Sequence, residues 1–198
     1  MESSPWGARV TKLATIHKAA SAVQTASRAV AADCASSEKR PPSSPQDNPR
    51  KKIYLHPGQL YASGESSAVT TILGSCVVLC LWDPLKRIGG INHFLLPVGG
   101  AAGPKSPRFG NVAVPELIGQ IVKLGAERKR LQAKLFGGAN VIEAFRDREN
   151  HLGTQNVLIA RELLEAEAIP VVGEDVGGYK GRKLIFLTDD GSAWVKEL

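Results

Sequence analysis

The sequence predicts an α+β fold built on residues 53–198. Short apolar segments broken by glycine and proline predict strands, and two longer segments carry apolar residues at helical spacing. The predicted strands bracket the two predicted helices, which is typical of the α+β class. With 43% hydrophobic residues, the 198-residue chain can form one substantial core.

The first half of this region predicts four strand-forming segments joined by tight turns. They are residues 53–62, 67–73, 76–82 and 88–96, broken by Pro57-Gly58, Gly64, Gly74-Ser75 and Asp83-Pro84. A helix over 112–125 follows, and Gly125 is a natural residue to end it.

The second half repeats this order on a smaller scale. Residues 131–136 alternate as a strand does, residues 153–168 return to helical spacing, and 169–174 and 182–187 predict two further strands. No internal repeat is present in the sequence. The predicted order is therefore strands, helix, strand, helix, strands.

Residues 1–52 differ in composition from the rest and are predicted to be an N-terminal extension. Residues 8–33 are rich in Ala, Ser and Thr and predict at most a weak helix, and 36–52 combine Pro, Ser and charge as solvated linkers do. We expect a disordered or loosely helical segment. A start codon assigned too far upstream would give the same pattern, and an amphipathic partner-binding or targeting helix is a further alternative.

The distribution of charge argues against nucleic-acid binding. The net charge is +6, but residues 1–52 hold 9 Lys/Arg against 4 Asp/Glu, whereas residues 53–198 hold 16 against 15. A nucleic-acid-binding domain concentrates positive charge on its folded surface, and this predicted domain is nearly neutral.

The cysteine content predicts a reduced, cytoplasmic protein. Cys34, Cys76 and Cys80 cannot all pair within one chain, and their spacing fits no zinc site. No apolar run is long enough to span a bilayer, and the N-terminus lacks the apolar block of a secretion signal.

Cys76 is the candidate nucleophile. A thiol attacks a carbonyl only as the thiolate, so it needs a base within hydrogen-bond reach. If segments 76–82 and 88–96 pair as a hairpin, His93 lies near the same end of that hairpin as Cys76 and can act as the base. The simpler alternatives are a buried apolar cysteine and a half-buried structural histidine.

Three residues near Cys76 are predicted to assist it. The turn at Gly74 and Ser75 lets backbone N–H groups converge near the sulfur as an oxyanion hole, although Gly74 can equally serve only to make the bend. Thr70, six residues before Cys76, offers a hydroxyl that can hold the imidazole of His93, although most strand threonines only fill space.

The remaining candidates favour structural roles, and no metal or cofactor is predicted. Cys80 raises the idea of a metal pair or redox switch with Cys76, but core packing is the favoured interpretation. Turn formation explains the acid pairs Glu174-Asp175 and Asp189-Asp190. The Gly-Gly pairs match neither the P-loop nor the dinucleotide fingerprint.

Several motifs together resemble one family, the chemoreceptor glutamine deamidases called CheD. The similarity covers roughly residues 53–198 in unbroken order and leaves residues 1–52 outside it. The strings that carry it are LGSCVVLCLWDP (73–84), GGINHFLLP (89–97), RFGNVAV (108–114), KLFGGAN (134–140), NVLIARELLEAEAIPVVGEDVGG (156–178) and GRKLIFLTDDG (181–191).

The resemblance implies a cysteine hydrolase, a protein-glutamine glutaminase that converts glutamine side chains of bacterial chemoreceptors to glutamate. It implies a mixed β-sandwich with flanking helices, similar to the catalytic domain of cytotoxic necrotizing toxins. The catalytic cysteine, histidine and threonine of the family fall on Cys76, His93 and Thr70, and no cofactor is implied. Some members also bind the phosphatase CheC and stimulate it, so CheC is a possible partner.

One departure from the family pattern is Pro115, where members usually carry Met within a helix. Proline suits the first turn of a helix, so a shifted helix start is expected here. Two other functions stay open on sequence: a regulatory module that binds receptor or CheC with little catalysis, and an unrelated thiol amidase acting on small molecules.

Overall fold

The computed structural model describes residues 50–99, 105–142 and 151–198. Within them the chain forms two β-sheets and two α-helices, which confirms the α+β class. The predictions for residues 1–49, including the weak helix and most of the linker, lie outside the described residues. The predicted likeness to the toxin domain stays a prediction.

The first sheet has four strands in the order β1-β3-β8-β9. β1 pairs parallel with β3, and the other two pairs are antiparallel. Its strands are β1 (Lys51–Tyr54), β3 (Ser67–Leu73), β8 (Arg182–Leu187) and β9 (Ala193–Glu197).

The second sheet has five strands in the order β2-β5-β4-β6-β7. Its central hairpin is the one expected from the turn at Asp83-Pro84, with β4 and β5 antiparallel and Val78 opposite His93. Its strands are β2 (Leu60–Ser63), β4 (Val77–Asp83), β5 (Ile88–Phe94), β6 (Gln132–Gly137) and β7 (Val171–Val176).

Alternation along the strands divides the buried residues into two clusters. One cluster joins the two sheets and draws on both, with Val69 and Phe186 from the first and Val78, Cys80 and Ile91 from the second. The other cluster lies between the second sheet and the helices α1 (Gly110–Lys123) and α2 (Leu152–Ala166). β4 is thus buried on both faces, which explains its nearly continuous apolar sequence.

Pro115 does not lie in the first turn of helix α1, so the expected shift of the helix start is wrong. Pro115 lies inside the helix, exposed to solvent, and the helix begins at Gly110. The extra turn forms because its first N–H groups find acceptors outside the helix: Gly110 N donates to Leu96 O (2.8 Å) and Asn111 N to Pro97 O (3.1 Å).

The sequence missed two elements. β9 follows the Asp189-Asp190 turn and was not predicted, and a short 3-10 helix spans Arg128–Arg130. The segment 53–62 contains the end of one strand and most of another, interrupted around Pro57-Gly58, and these strands belong to different sheets. No helix in the described ranges is both long and apolar enough to cross a membrane.

Candidate active site

The loop that carries Cys76 connects the two sheets. It leaves β3 of the first sheet at Leu73 and enters β4 of the second at Val77. Two of its carbonyl groups are held by the segment after β6, since Ala139 N donates to Gly74 O (2.9 Å) and Gly138 N donates to Cys76 O (2.8 Å). Cys76 therefore lies on a backbone that the segment after β6 restrains at two carbonyl groups.

Gly137 is the glycine that this arrangement requires. Its φ is +101°, and a Cβ atom there would lie 2.3 Å from the carbonyl oxygen of Cys76. Gly74 has no comparable need, since a Cβ there would meet Val141 at an ordinary 3.6 Å and its φ is not positive. The glycine that matters for the shape of the Cys76 loop lies on the neighbouring strand.

The β4–β5 register places His93 beside this loop. Val77 lies opposite Phe94 and Val78 opposite His93, so Cys76, directly before β4, is a diagonal neighbour of His93. Diagonal neighbours across a strand pair are about 7–8 Å apart, within the combined reach of the two side chains. Cys76 is only partly buried, whereas His93 is 1% exposed.

The tautomer of His93 follows from its hydrogen bonds. The hydroxyl of Thr71 donates to Leu55 O (2.8 Å) and lies 2.9 Å from Nδ1 of His93. Because the single hydroxyl proton goes to Leu55, the hydroxyl accepts from Nδ1, which therefore carries the ring proton. The lone pair of the neutral ring is then on Nε2, and no described residue is hydrogen bonded to that atom.

The threonine that holds the ring is Thr71, so the expected contact from Thr70 is corrected. Side chains alternate along β3, where Val69, Thr71 and Leu73 are buried and Thr70 is not. Thr70 points to the other face of the sheet from His93. The catalytic role of Thr70 that the resemblance implies stays a prediction.

Burial favours the uncharged forms of Cys76 and His93. It lowers the pKa of His93 to about 4, since a buried imidazolium loses its hydration. Burial also raises the pKa of the Cys76 thiol from its ordinary value of 9.0, although the N–H of Cys76 itself acts in the opposite direction. Near neutral pH the pair is a thiol and a neutral imidazole, not a preformed ion pair.

Asn156 is a residue that the sequence analysis missed. It lies on α2 and is fully buried, and its Nδ2 donates to Ser75 O (3.1 Å) and to Leu95 O (2.8 Å). No signal in the sequence pointed to Asn156, because its contacts join α2 to Ser75 and Leu95, which lie 81 and 61 residues away. The position of Thr71 could have been predicted, because alternation along β3 places it on the same buried face as Val69 and Leu73.

Cys80 and the acidic residues singled out in the sequence lie in positions that fit structural roles. Cys80 is buried in the cluster between the sheets, as expected for core packing. Asp175 pairs with Arg182 and Asp189 with Arg50, and Asp190 accepts from Ser192 N in the turn before β9. Among the described residues, no group of three or more His, Cys, Asp or Glu side chains is placed to hold a metal ion.

These features define the class of the protein: an α+β fold with a partly exposed cysteine near a histidine whose Nε2 has no hydrogen-bond partner in the part of the chain that the structure describes. Comparison with known proteins makes the assignment specific. Residues 95–197 match the family described as CheD chemotactic sensory transduction. The chain belongs to the CheD family.

Two relatives illustrate the extent of this similarity. The "Probable chemoreceptor glutamine deamidase CheD 1" of Anaeromyxobacter dehalogenans is 54% identical over 149 residues, which cover 75% of this chain and 86% of that protein. The "Probable chemoreceptor glutamine deamidase CheD" of Stenotrophomonas maltophilia is 46% identical over 144 residues, covering 73% of this chain and 72% of that protein. A solved structure, Bacillus licheniformis YfiH, aligns with 13% identity over 54% of this chain and 45% of that one, at a TM-score of 0.32.

Proposed function

We propose that this chain is a protein-glutamine deamidase that converts glutamine side chains of bacterial chemoreceptors to glutamate and releases ammonia. Membership of the family supports the reaction and the substrate, since the relatives carry the name chemoreceptor glutamine deamidase. The observation that carries the mechanism is the hydrogen bond that Nδ1–H of His93 donates to the hydroxyl of Thr71, which leaves the lone pair on Nε2 available as a base near Cys76.

The first stage forms a thioester. Nε2 of His93 takes the proton of the Cys76 thiol, and the sulfur attacks the amide carbon of the glutamine. Backbone N–H groups of the loop from Gly74 to Cys76 stabilise the negative oxygen of the tetrahedral intermediate. The intermediate collapses with cleavage of the C–N bond, and the imidazolium gives its proton to the leaving nitrogen, which departs as ammonia.

The second stage restores the enzyme. Water attacks the thioester carbon while Nε2 accepts one of its protons, and the C–S bond breaks to leave the carboxyl group of glutamate. The sulfur regains its proton from His93. The chemistry needs only a thiol and an imidazole, so no cofactor enters the proposal.

Substrate binding has to complete the catalytic contact. In this structure no hydrogen bond joins Nε2 of His93 to a described residue, and burial opposes charge on both groups. Catalytic hydrogen bonds in free enzymes are often long and tighten in the complex with substrate. We infer that proton transfer accompanies the approach of the receptor glutamine.

We propose that the enzyme contributes to chemotactic adaptation. We also propose that it works in the cytoplasm, where a reducing environment keeps a thiol nucleophile free. A CheC-type phosphatase stays a predicted partner from the resemblance. The two sequence-based alternatives, a binding module and a small-molecule amidase, are separated from the deamidase by the experiment below.

The test is mass spectrometry of chemoreceptors co-expressed with wild-type, Cys76→Ala or Cys80→Ala protein. We expect amide-to-acid conversion at defined glutamines with the wild type, none with Cys76→Ala, and conversion by the folded fraction of Cys80→Ala, the matched cysteine control. Conversion by Cys76→Ala at the wild-type rate would show that Cys76 is not the nucleophile. Receptor binding without conversion by the wild type would favour the binding module, and turnover of free glutamine would favour the small-molecule amidase.

A further inference from the structure

Asn156 connects two parts of the site through one buried amide. Its side chain is fully buried, and Nδ2 donates to Ser75 O (3.1 Å) in the Cys76 loop and to Leu95 O (2.8 Å), just past the end of β5. Both contacts are to carbonyl oxygens, which only accept hydrogen bonds. The group that faces them must therefore be the NH₂ of the amide, with both of its protons used.

The contact with Ser75 fixes the direction of the next peptide group. In a trans peptide the carbonyl oxygen and the following N–H point to opposite sides, and the Ser75–Cys76 peptide is trans. With Ser75 O turned toward α2, the N–H of Cys76 points away from that helix. No backbone acceptor in the described residues takes this N–H.

We propose that Asn156 is a positioning residue that orients the Ser75–Cys76 peptide so that the N–H of Cys76 faces the substrate carbonyl oxygen as it becomes negative. This role rests on the proposed deamidase function. A donor helps such an oxygen only if its direction is set before the reaction, because reorientation during the reaction costs free energy.

The neighbouring carbonyl groups restrain the loop on the other side. Gly74 O accepts from Ala139 N (2.9 Å) and Cys76 O accepts from Gly138 N (2.8 Å). Among the described residues, Ser75 O is the one carbonyl of the 74–76 loop that accepts from a side chain, so the contact with Asn156 opposes a flip of the Ser75–Cys76 peptide.

The contact with Leu95 adds a second constraint. Leu95 lies two residues after His93, so the same NH₂ group joins the nucleophile loop to the strand that carries the base. Packing alone does not explain an amide here, because Oδ1 of Asn156 is buried without a partner among the described residues, and a buried unpaired acceptor destabilises the folded state.

The experiment compares two reactions of Cys76 in purified full-length protein. Deamidation of a chemoreceptor cytoplasmic fragment passes through a negative oxygen, whereas alkylation of Cys76 by iodoacetamide does not. The variants are Asn156→Ala, and Asn156→Asp, which keeps the shape but turns an acceptor toward both carbonyls. The control is Thr188→Val, which loses a buried hydroxyl that accepts from Ser67 N (3.0 Å) and donates to Glu65 O (2.9 Å) at the opposite end of β3.

For Asn156→Ala we expect kcat for deamidation to fall about 100-fold with little change in KM, and Cys76 alkylation to stay within about 3-fold of wild type. Asn156→Asp should lose at least as much. Thr188→Val should keep the wild-type kcat once corrected for its folded fraction.

Two results would overturn the positioning role. The first is a kcat of Asn156→Ala close to that of wild type, and the second is a parallel loss of deamidation and alkylation, which indicates a collapsed loop. Absence of deamidation by the wild-type protein, with Cys76 still alkylated, would refute the proposed function and this role with it.

Discussion

The hydroxyl of Thr71 lies 2.9 Å from Nδ1 of His93 and donates its own proton to Leu55 O at 2.8 Å. This relay holds the imidazole in one tautomer from a strand of the opposite sheet. The free lone pair therefore lies on Nε2, the nitrogen that acts as the base in the proposed mechanism.

Replacing Thr71 tests the relay directly. Thr71→Val removes the acceptor for Nδ1–H, so we expect kcat for receptor deamidation to fall about 100-fold, and Thr71→Ser, which keeps the hydroxyl, to retain most activity. Thr70→Val is the matched control, because Thr70 faces away from His93. Steady-state kinetics decide the outcome, and a larger loss in Thr70→Val than in Thr71→Val would move the catalytic role to Thr70 and refute the relay.

Buried His93 should make folding depend on pH. An unfolded histidine binds a proton below its ordinary pKa of 6.5, but burial lowers the pKa of folded His93 to about 4. Between these values the unfolded state binds more protons, so the stabilisation is complete above pH 6.5 and is lost as the pH falls toward 4, by up to about 3 kcal/mol. Urea unfolding at pH 7 and pH 5 measures this loss.

The variant His93→Gln isolates the contribution of this ring. Its free energy of unfolding should fall less than that of wild type between pH 7 and pH 5, because the other titrating groups are common to both proteins. Equal pH dependence in the two proteins would show that His93 titrates normally in the folded state.

Cys76 should react slowly with iodoacetamide at neutral pH. Burial raises the pKa of its thiol above the ordinary 9.0, so the rate should keep rising through pH 9 instead of levelling off near pH 7. Peptide mass spectrometry of residue 76 against pH measures it. A fast reaction at pH 7 that slows in His93→Gln would instead indicate a preformed thiolate–imidazolium pair.

Gly137→Ala should disrupt the site from the neighbouring strand. The new Cβ would meet Cys76 O at 2.3 Å on a backbone with φ +101°, so we expect a loss of about 2 kcal/mol or more in stability and little activity. Gly119→Ala is the control, since a Cβ at Gly119 meets nothing within 4 Å inside α1, and alanine there should stabilise by about 0.5–1 kcal/mol. Urea unfolding and kcat together measure both effects. Normal activity in Gly137→Ala would show that the Cys76 loop tolerates displacement.

The sequence predicted the parts of the fold that depend on local patterns. The β4–β5 hairpin followed from two apolar segments around Asp83-Pro84, and it was enough to bring Cys76 and His93 to the same end. β9 was missed because its alternation is too short to be distinctive. Trp194 and Lys196 lie on its exposed face and Val195 lies on its inner face.

The parts of the site that were missed depend on contacts between distant segments. Thr70 was chosen by its spacing from Cys76, but strand parity places Thr71 at His93. Asn156 and Gly137 act on the Cys76 loop from α2 and β6, and only the packing of those elements shows it. The start of α1 was missed for the same reason, since Leu96 O and Pro97 O receive its first N–H groups.

The high pKa of the half-buried Cys76 thiol has a consequence for the resting protein in the cell. Peroxides oxidise thiolates far more readily than thiols, so a sulfur that keeps its proton until a receptor glutamine arrives is a poor target for sulfenic acid formation. A deamidase that works by the proposed mechanism would therefore lose less activity to peroxide than an enzyme with a preformed thiolate.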